Sequence, residues 1–193
     1  MAFRTRKPIQ TTTLILMYRI ATNFLKRFLK TSTIYKYGFN WSPMYKRSTA
    51  KLIQVSDNLQ YVKIKLKPSW KNRNYAGSIF GGSMLSATDP IYMIQLIQIL
   101  GDDFVVWDKA ASIKYKRPAK ETIYAEFVFL DEEIKKIKNE INLKNEVNIT
   151  KKLTLKNAEN TVFAEIEKTI YAATKTYYKE KLKQRKQQQN TAQ

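Results

Sequence analysis

Two glycines followed seven residues later by a carboxylate are the residues of this chain best suited to chemistry. Gly81 and Gly82 open the run GGSMLSATDPIYMIQLIQIL. In it Met84, Leu85, Ala87, Ile91, Tyr92, Ile94, Leu96, Ile97, Ile99 and Leu100 surround a helix too apolar for a surface position. The pattern predicts a helix over 82–100, buried on most sides. Glycines at its start leave room for a carbonyl oxygen to approach backbone N–H groups where the helix dipole favours developing negative charge. Asp89, one to two turns along, would be partly desolvated and suited to general-base work. A plain role competes with this one: an Asp before Pro90 can cap a helix that restarts there. Pro90 removes one helical hydrogen bond, so a bend or a displaced start is expected at that point, and Gly101 is the natural stop.

Other chemistries are excluded by composition. The 193 residues include no Cys and no His. Disulfides, Cys/His metal sites, thiol nucleophiles and imidazole bases are therefore ruled out. Catalysis would have to use carboxylates, hydroxyls, amides, lysines or backbone dipoles, with neither metal nor separate cofactor expected. With 44% hydrophobic residues and five each of Gly and Pro, the chain should fold as one domain. No segment is apolar enough for a membrane span or a cleaved signal, so a cytoplasmic location, with or without peripheral membrane attachment, is expected.

The net charge of +19 is concentrated at the ends. Residues 1–56 carry eleven Lys and Arg and no acid, and residues 175–193 carry six against Glu180. Residues 57–174, with eighteen basic and fifteen acidic side chains, are close to neutral. Basic ends on a neutral body fit nucleic acid, anionic lipid or an acidic protein at the periphery, or simply a solvated Lys-rich surface. Within 14–30, Leu14, Met17, Ala21, Phe24 and Phe28 recur at helical spacing among Arg19, Lys26, Arg27 and Lys30. This predicts a basic amphipathic helix that packs on the domain, lies on an anionic membrane surface or acts as a targeting segment. The expected organisation is this helix and a linker over 1–40, a domain over 41–176 and a basic polar tail, a frayed helix or a disordered end, over 177–193.

Strands are expected on both sides of the buried helix. Alternating runs at 49–56 and 59–67 read as a hairpin turned at Asp57 and Asn58. After the helix, 103–117 and 122–130 are rich in β-branched and aromatic residues, with Trp107, Phe127 and Phe129 at core or interface parity. A charged helix over 131–141 precedes strands at 146–155 and 161–176, turned at 157–160. One helix wrapped by an antiparallel sheet is an α+β layout.

Several motifs in this order resemble the hotdog fold, and more closely its group known as domain of unknown function 4442. The chain has Asn72, Arg73 and Asn74; then Gly77, Phe80, Gly81 and Gly82; then Asp89 and Pro90. Val105, Val106, Trp107, Asp108 and Lys109 follow, and Arg117 and Pro118 close the pattern. The resemblance covers roughly residues 40 to 175. The chain is also similar to the phenylacetyl-CoA type of hotdog thioesterase, whose motif N-x-x-G-x-x-H-G-G has Phe80 here in place of His.

The resemblance implies hydrolysis of an acyl thioester of coenzyme A or acyl carrier protein, a fatty-acid type of chemistry. Asp89 would act as nucleophile or base, the amides of Gly81 and Gly82 would polarise the carbonyl, and Asn74 would hold the attacking group. Gly77, Phe80, Arg73, Lys116 and Arg117 would bind substrate, the basic ones through phosphates or an acidic carrier. Asp108 and Lys109 should face opposite sides of their strand, one of them inward, with Lys109 able to line the acyl channel. A homodimer or dimer of dimers with sites between subunits is implied. The alternatives are a non-catalytic acyl-thioester or lipid-binding module and a decarboxylase or dehydratase. The missing histidine counts against dehydration, and strand parity of the aromatics against nucleic-acid binding.

Overall fold

The computed structural model describes residues 28–191, so the helix expected over 14–30 lies almost wholly outside the described residues. Two short helices come first, α1 (Thr31–Trp41), almost wholly in the region expected to be a linker, and α2 (Pro43–Ser48), at the start of the expected domain. The hairpin strands are β1 (Ala50–Val55) and β2 (Tyr61–Leu66). The buried helix is split into α3 (Gly81–Thr88) and α4 (Ile91–Leu100). Strands β3 (Phe104–Tyr115) and β4 (Ile123–Val128), helix α5 (Asp131–Lys144), strands β5 (Glu146–Lys156) and β6 (Val162–Thr174), and helix α6 (Lys175–Thr191) complete the order.

Six antiparallel strands form one sheet in the order β1-β2-β4-β5-β6-β3. Its inner face follows the period-two alternation of the sequence. Val62, Ile64 and Leu66 of β2 and Ile123, Ala125 and Phe127 of β4 point inward and are buried. Against them lie Ile91, Tyr92 and Leu96 of α4, with Tyr92 edge-on to Phe127 at 4.9 Å and to Phe129 at 5.5 Å. Burial pushes the Tyr92 hydroxyl up to about 12. Tyr45 anchors α2 to the central helix by donating to the Ala87 carbonyl at 3.0 Å.

The break between α3 and α4 has a local cause. Asp89 N–H still bonds Leu85 O (3.0 Å) and Ile94 N–H bonds Pro90 O (3.0 Å), but Pro90 has no N–H to continue the ladder. Gly101, at φ +90°, ends α4 in a conformation that disfavours a side chain. Where β4 and β5 should pair, the register holds only at Tyr124 and Lys156. The strands part beyond it, and α5, inserted between them in sequence, packs Ile134, Ile137 and Ile141 toward the core beside β5 and β6. The C-terminal segment, expected as a frayed helix or a disordered end, is helical. Its base is held where Trp107 stacks on Tyr171 at 4.5 Å and meets Tyr178 at 4.8 Å, on the outer face of the sheet.

Candidate functional site: a carboxylate held by a buried ammonium

The loop before α3 is ordered by its asparagines. Asn72, only 2% exposed, accepts from Ser69 N–H (2.8 Å) and donates to Lys67 O (2.9 Å) and Thr49 Oγ1 (2.6 Å). Asn74 Oδ1 accepts from the amides of Ala76 (3.0 Å) and Ser78 (3.1 Å) and from Ser78 Oγ (3.2 Å). That oxygen is committed to the loop, whose turn uses Gly77 at φ +75°. Arg73 bridges to Ile79, and Phe80 N–H bonds Asn72 O at 2.7 Å. These contacts aim the first turn of α3.

Both helix-opening glycines sit directly against aromatic rings that a larger residue would have to displace. A Cβ at Gly81 would collide with the Tyr115 phenol, and one at Gly82 with the Phe80 ring. Phe80 and Tyr115 are both more than half exposed, so two aromatic rings flank the helix start. The amides of Ser83 (3.0 Å) and Met84 (3.3 Å) turn back to Phe80 O, while those of Gly81 and Gly82 precede the first helical bond. Two donors at the positive end of a helix, between two rings, can hold a carbonyl oxygen on which negative charge develops. Arg73, Lys116 and Arg117 are all exposed; the Arg73 backbone bridges to Ile79, and Lys116 and Arg117 follow Tyr115 in sequence. Lys116 is paired with Glu165 at 2.9 Å.

Asp89 lies at the other end of α3. Its side chain is 56% exposed, more open than a place on a buried helix suggests. It is held by Lys168 of β6, a lysine with 0% side-chain exposure. Lys168 Nζ donates to Asp89 Oδ1 at 3.1 Å, to the Asp89 backbone carbonyl, and to Asp108 Oδ2 at 2.8 Å. Asp89 thus uses its carboxylate on an ammonium rather than on amides of α4, and Oδ2 has no hydrogen-bond partner among the described residues. Asp108 is the inward member of the Asp108/Lys109 pair, with its own Oδ1 buried and unpaired. Burial raises its pKa above the usual carboxylate value, Lys168 opposes this, and the Asp89 charge adds to the rise.

Lys109 goes elsewhere. The register between β3 and β6 slips between Asp108 and Ala110, leaving Lys109 in a bulge. There it is exposed and donates to Asn148 Oδ1 at 3.2 Å, away from Asp89. Phe127 and Phe129 are core residues, as their parity predicts. A cavity of about 790 Å³ lies apart from Asp89, where β4 and β5 diverge, with Tyr92, Val128, Leu130, Glu133 and Lys151 among its walls. Among the described residues no group of three or more acids could hold a metal ion, and no helix is long and apolar enough to cross a membrane.

The glycine amides and Asp89 do not meet within one chain. Eight residues of helix separate Gly81 from Asp89, a rise of about 12 Å. Sequence reasoning misses Lys168, although a lysine at the inward parity of β6, between Ile166 and Ile170, is a visible signal.

No curated protein matches the chain in sequence. Its fold is similar to that of PA5026 from Pseudomonas aeruginosa, a protein of unknown function and probable thioesterase. The TM-score is 0.65 at 19% identity, over 74% of this chain and 95% of that one. It is similar also to thioesterase HI1161 from Haemophilus influenzae, with TM-score 0.54 and 10% identity over 71% and 87% of the two chains. For a mutant of thioesterase SAV0944 from Staphylococcus aureus the values are 0.52 and 12%, over 68% and 99%. At these identities the likeness is one of fold, the α+β hotdog. Residues 34–190 match one family over most of the chain. The chain belongs to that family, described as Domain of unknown function (DUF4442), whose hotdog architecture it shares with thioesterase-like proteins.

Proposed function

We propose that the protein hydrolyses an acyl thioester of coenzyme A or acyl carrier protein, at sites formed between two copies of the chain. The observation that carries this reading is the division of labour along α3. Among the described residues two unpaired amides stand at its start, and at its end a carboxylate with a 56% exposed side chain is held through one oxygen. About 12 Å of helix keeps them from acting on the same atom within one chain. A second copy set against the first can place its amide end opposite the first copy's Asp89. Strand β3, twelve residues long and at the sheet edge, offers the backbone for that pairing.

In this reading the thioester carbonyl sits at the amides of Gly81 and Gly82. Asp89 Oδ2 of the other copy takes a proton from water as the water oxygen bonds to the carbonyl carbon. The resulting oxyanion is stabilised by the two amides. Its collapse breaks the carbon–sulfur bond, the thiolate takes up the proton held by Asp89, and the acid is released as a carboxylate that gives its proton to solvent. Arg73, Lys116 and Arg117, all exposed, suit the phosphates of coenzyme A or of a carrier's phosphopantetheine. Phe80 and Tyr115 would flank the acyl thioester. The similarity to proteins named thioesterases supports the reaction class.

The test is thiol release from acyl-CoA thioesters of graded chain length, aryl-acyl forms included, with wild type and Asp89→Asn compared. Turnover abolished by the substitution is the expected result. Saturable binding without turnover of any thioester would replace hydrolysis by a binding role.

A further inference from the structure

We propose that Lys168 is a positioning residue for Asp89, locking its carboxylate into one rotamer so that Oδ2 alone faces the reacting water. The role rests on the hydrolytic reading of Asp89 and adds to it a residue from a distant strand.

Three observations carry it. First, the ammonium has three protons and all three are used: on Asp89 Oδ1, on the Asp89 carbonyl oxygen and on Asp108 Oδ2. None is left for a substrate, and with 0% side-chain exposure no substrate reaches it. Lys168 therefore acts through another group or not at all. Second, two of its three bonds go to one residue. Gripping both the backbone carbonyl and the side-chain oxygen of Asp89 fixes the torsion between them, whereas a bond to the carboxylate alone would leave a half-exposed side chain free to turn. The carbonyl is at the C-terminal end of α3, where a cation is favoured. Third, Asp108 holds the lysine itself. Its carboxylate is pulled into a partly buried position, against the desolvation that raises its pKa, for a bond to Lys168. Of the other charges on the inner face, Lys151 stands opposite Lys168 in register and is already matched by Glu133 of α5. Asp89 and Asp108 are thus the carboxylates that balance Lys168.

The experiment uses the full chain with Lys168→Met, which keeps length and removes charge, and Lys168→Met/Asp108→Asn, which also neutralises the acid left behind. Kinetics are followed with a thioester that the wild type hydrolyses. The three-bond couplings that report the Asp89 χ1 rotamer are followed by NMR. The expected result is a fall in kcat of about 100-fold, the scale of a small misplacement of a reacting group. KM should stay within about threefold, because the lysine touches no substrate. The Asp89 couplings, single-valued in wild type, should become averaged. Should Lys168→Met alone fail to fold, the double variant gives the same readouts with no buried charge unpaired. Wild-type kcat in a folded variant, or a loss confined to KM, would overturn the proposal. If the wild type hydrolyses no thioester, hydrolysis fails as a reading on its own, and the couplings still decide whether Lys168 fixes Asp89: an unchanged single rotamer in the variants overturns it.

Discussion

Lys151 and Lys168 stand directly opposite one another on β5 and β6, both on the inner face of the sheet. Like charges in that relation repel, and the fold resolves the conflict by giving each its own counter-charge. Lys168 is held by Asp89 and Asp108. Lys151 bonds both oxygens of Glu133 (2.8 and 2.7 Å) and the Val128 carbonyl (2.8 Å), under the Phe129 ring at 4.5 Å. Its last bond stands in for a β4–β5 ladder bond where those strands have parted.

Lys151→Met should therefore cost about 1–2 kcal/mol: the lysine is only 12% exposed, but Glu133 is 30% exposed and the Val128 carbonyl is exposed, so water replaces part of what is lost. Lys152→Met, next in sequence but on the outer face and paired with Glu167 at 3.3 Å in solvent, should cost at most about 1 kcal/mol. Urea unfolding of both variants checks the contrast, and equal losses would show that Lys151 is no tie.

A site shared between copies predicts complementation. Gly81→Pro removes one amide donor at a helix position where proline is tolerated, though the Tyr115 ring must move aside. That variant and Asp89→Asn should each be slowed by about two to four orders of magnitude. When they are refolded together at equal amounts, half the dimers are mixed and each has one intact site. Activity should return to about a quarter of wild type if each site draws on two copies. No recovery, with mixed dimers confirmed by mass, would place both groups in one chain's site.

Asp108 makes stability fall as pH rises. Its pKa is raised in the folded state by burial first, so the native protein keeps the proton to a higher pH than the unfolded chain does. The stabilising contribution is full below its ordinary value of 3.8 and is lost as pH rises through the folded value. Asp108→Asn removes this dependence. The stability of the variant minus that of wild type should increase with pH just above 3.8, measured by urea midpoints in steps of pH. A flat difference would mean that burial does not perturb Asp108.

Phe80 and Gly82 should be energetically coupled. Gly82→Ala sets a methyl group against the Phe80 ring, which must swing away from the helix start. With Phe80→Ala the space is already empty, and alanine is the better helix former by about 1 kcal/mol. Gly82→Ala should thus destabilise the wild type yet be neutral or stabilising in the Phe80→Ala background. Thermal unfolding of the four proteins gives the coupling, and additive effects would show that the ring is not held over the glycine.

Much of this architecture is legible along the chain because it depends on near neighbours. Period-two alternation marks the inner faces of β2, β4, β5 and β6. Pro90 and Gly101 mark the break and the end of the central helix, because one lacks an N–H and the other tolerates positive φ. The glycine pair and Asp89 stand out as chemistry from residue type and spacing alone. The order of the helix over 175–191 does not, since its own residues are polar and allow a frayed helix or a disordered end, while its base is held by aromatics of β3 and β6. Nor can alternation say which of Asp108 and Lys109 faces inward. It makes them opposite, and only the bulge against β6 sends Lys109 out. Lys168 meets Asp89 across 79 residues and Asp108 across 60. Sterics and hydrogen bonding between neighbours write periodicity and breaks into the sequence. Which distant charges meet depends on strand register and on where the helix settles on the sheet, and those are properties of the packed core as a whole.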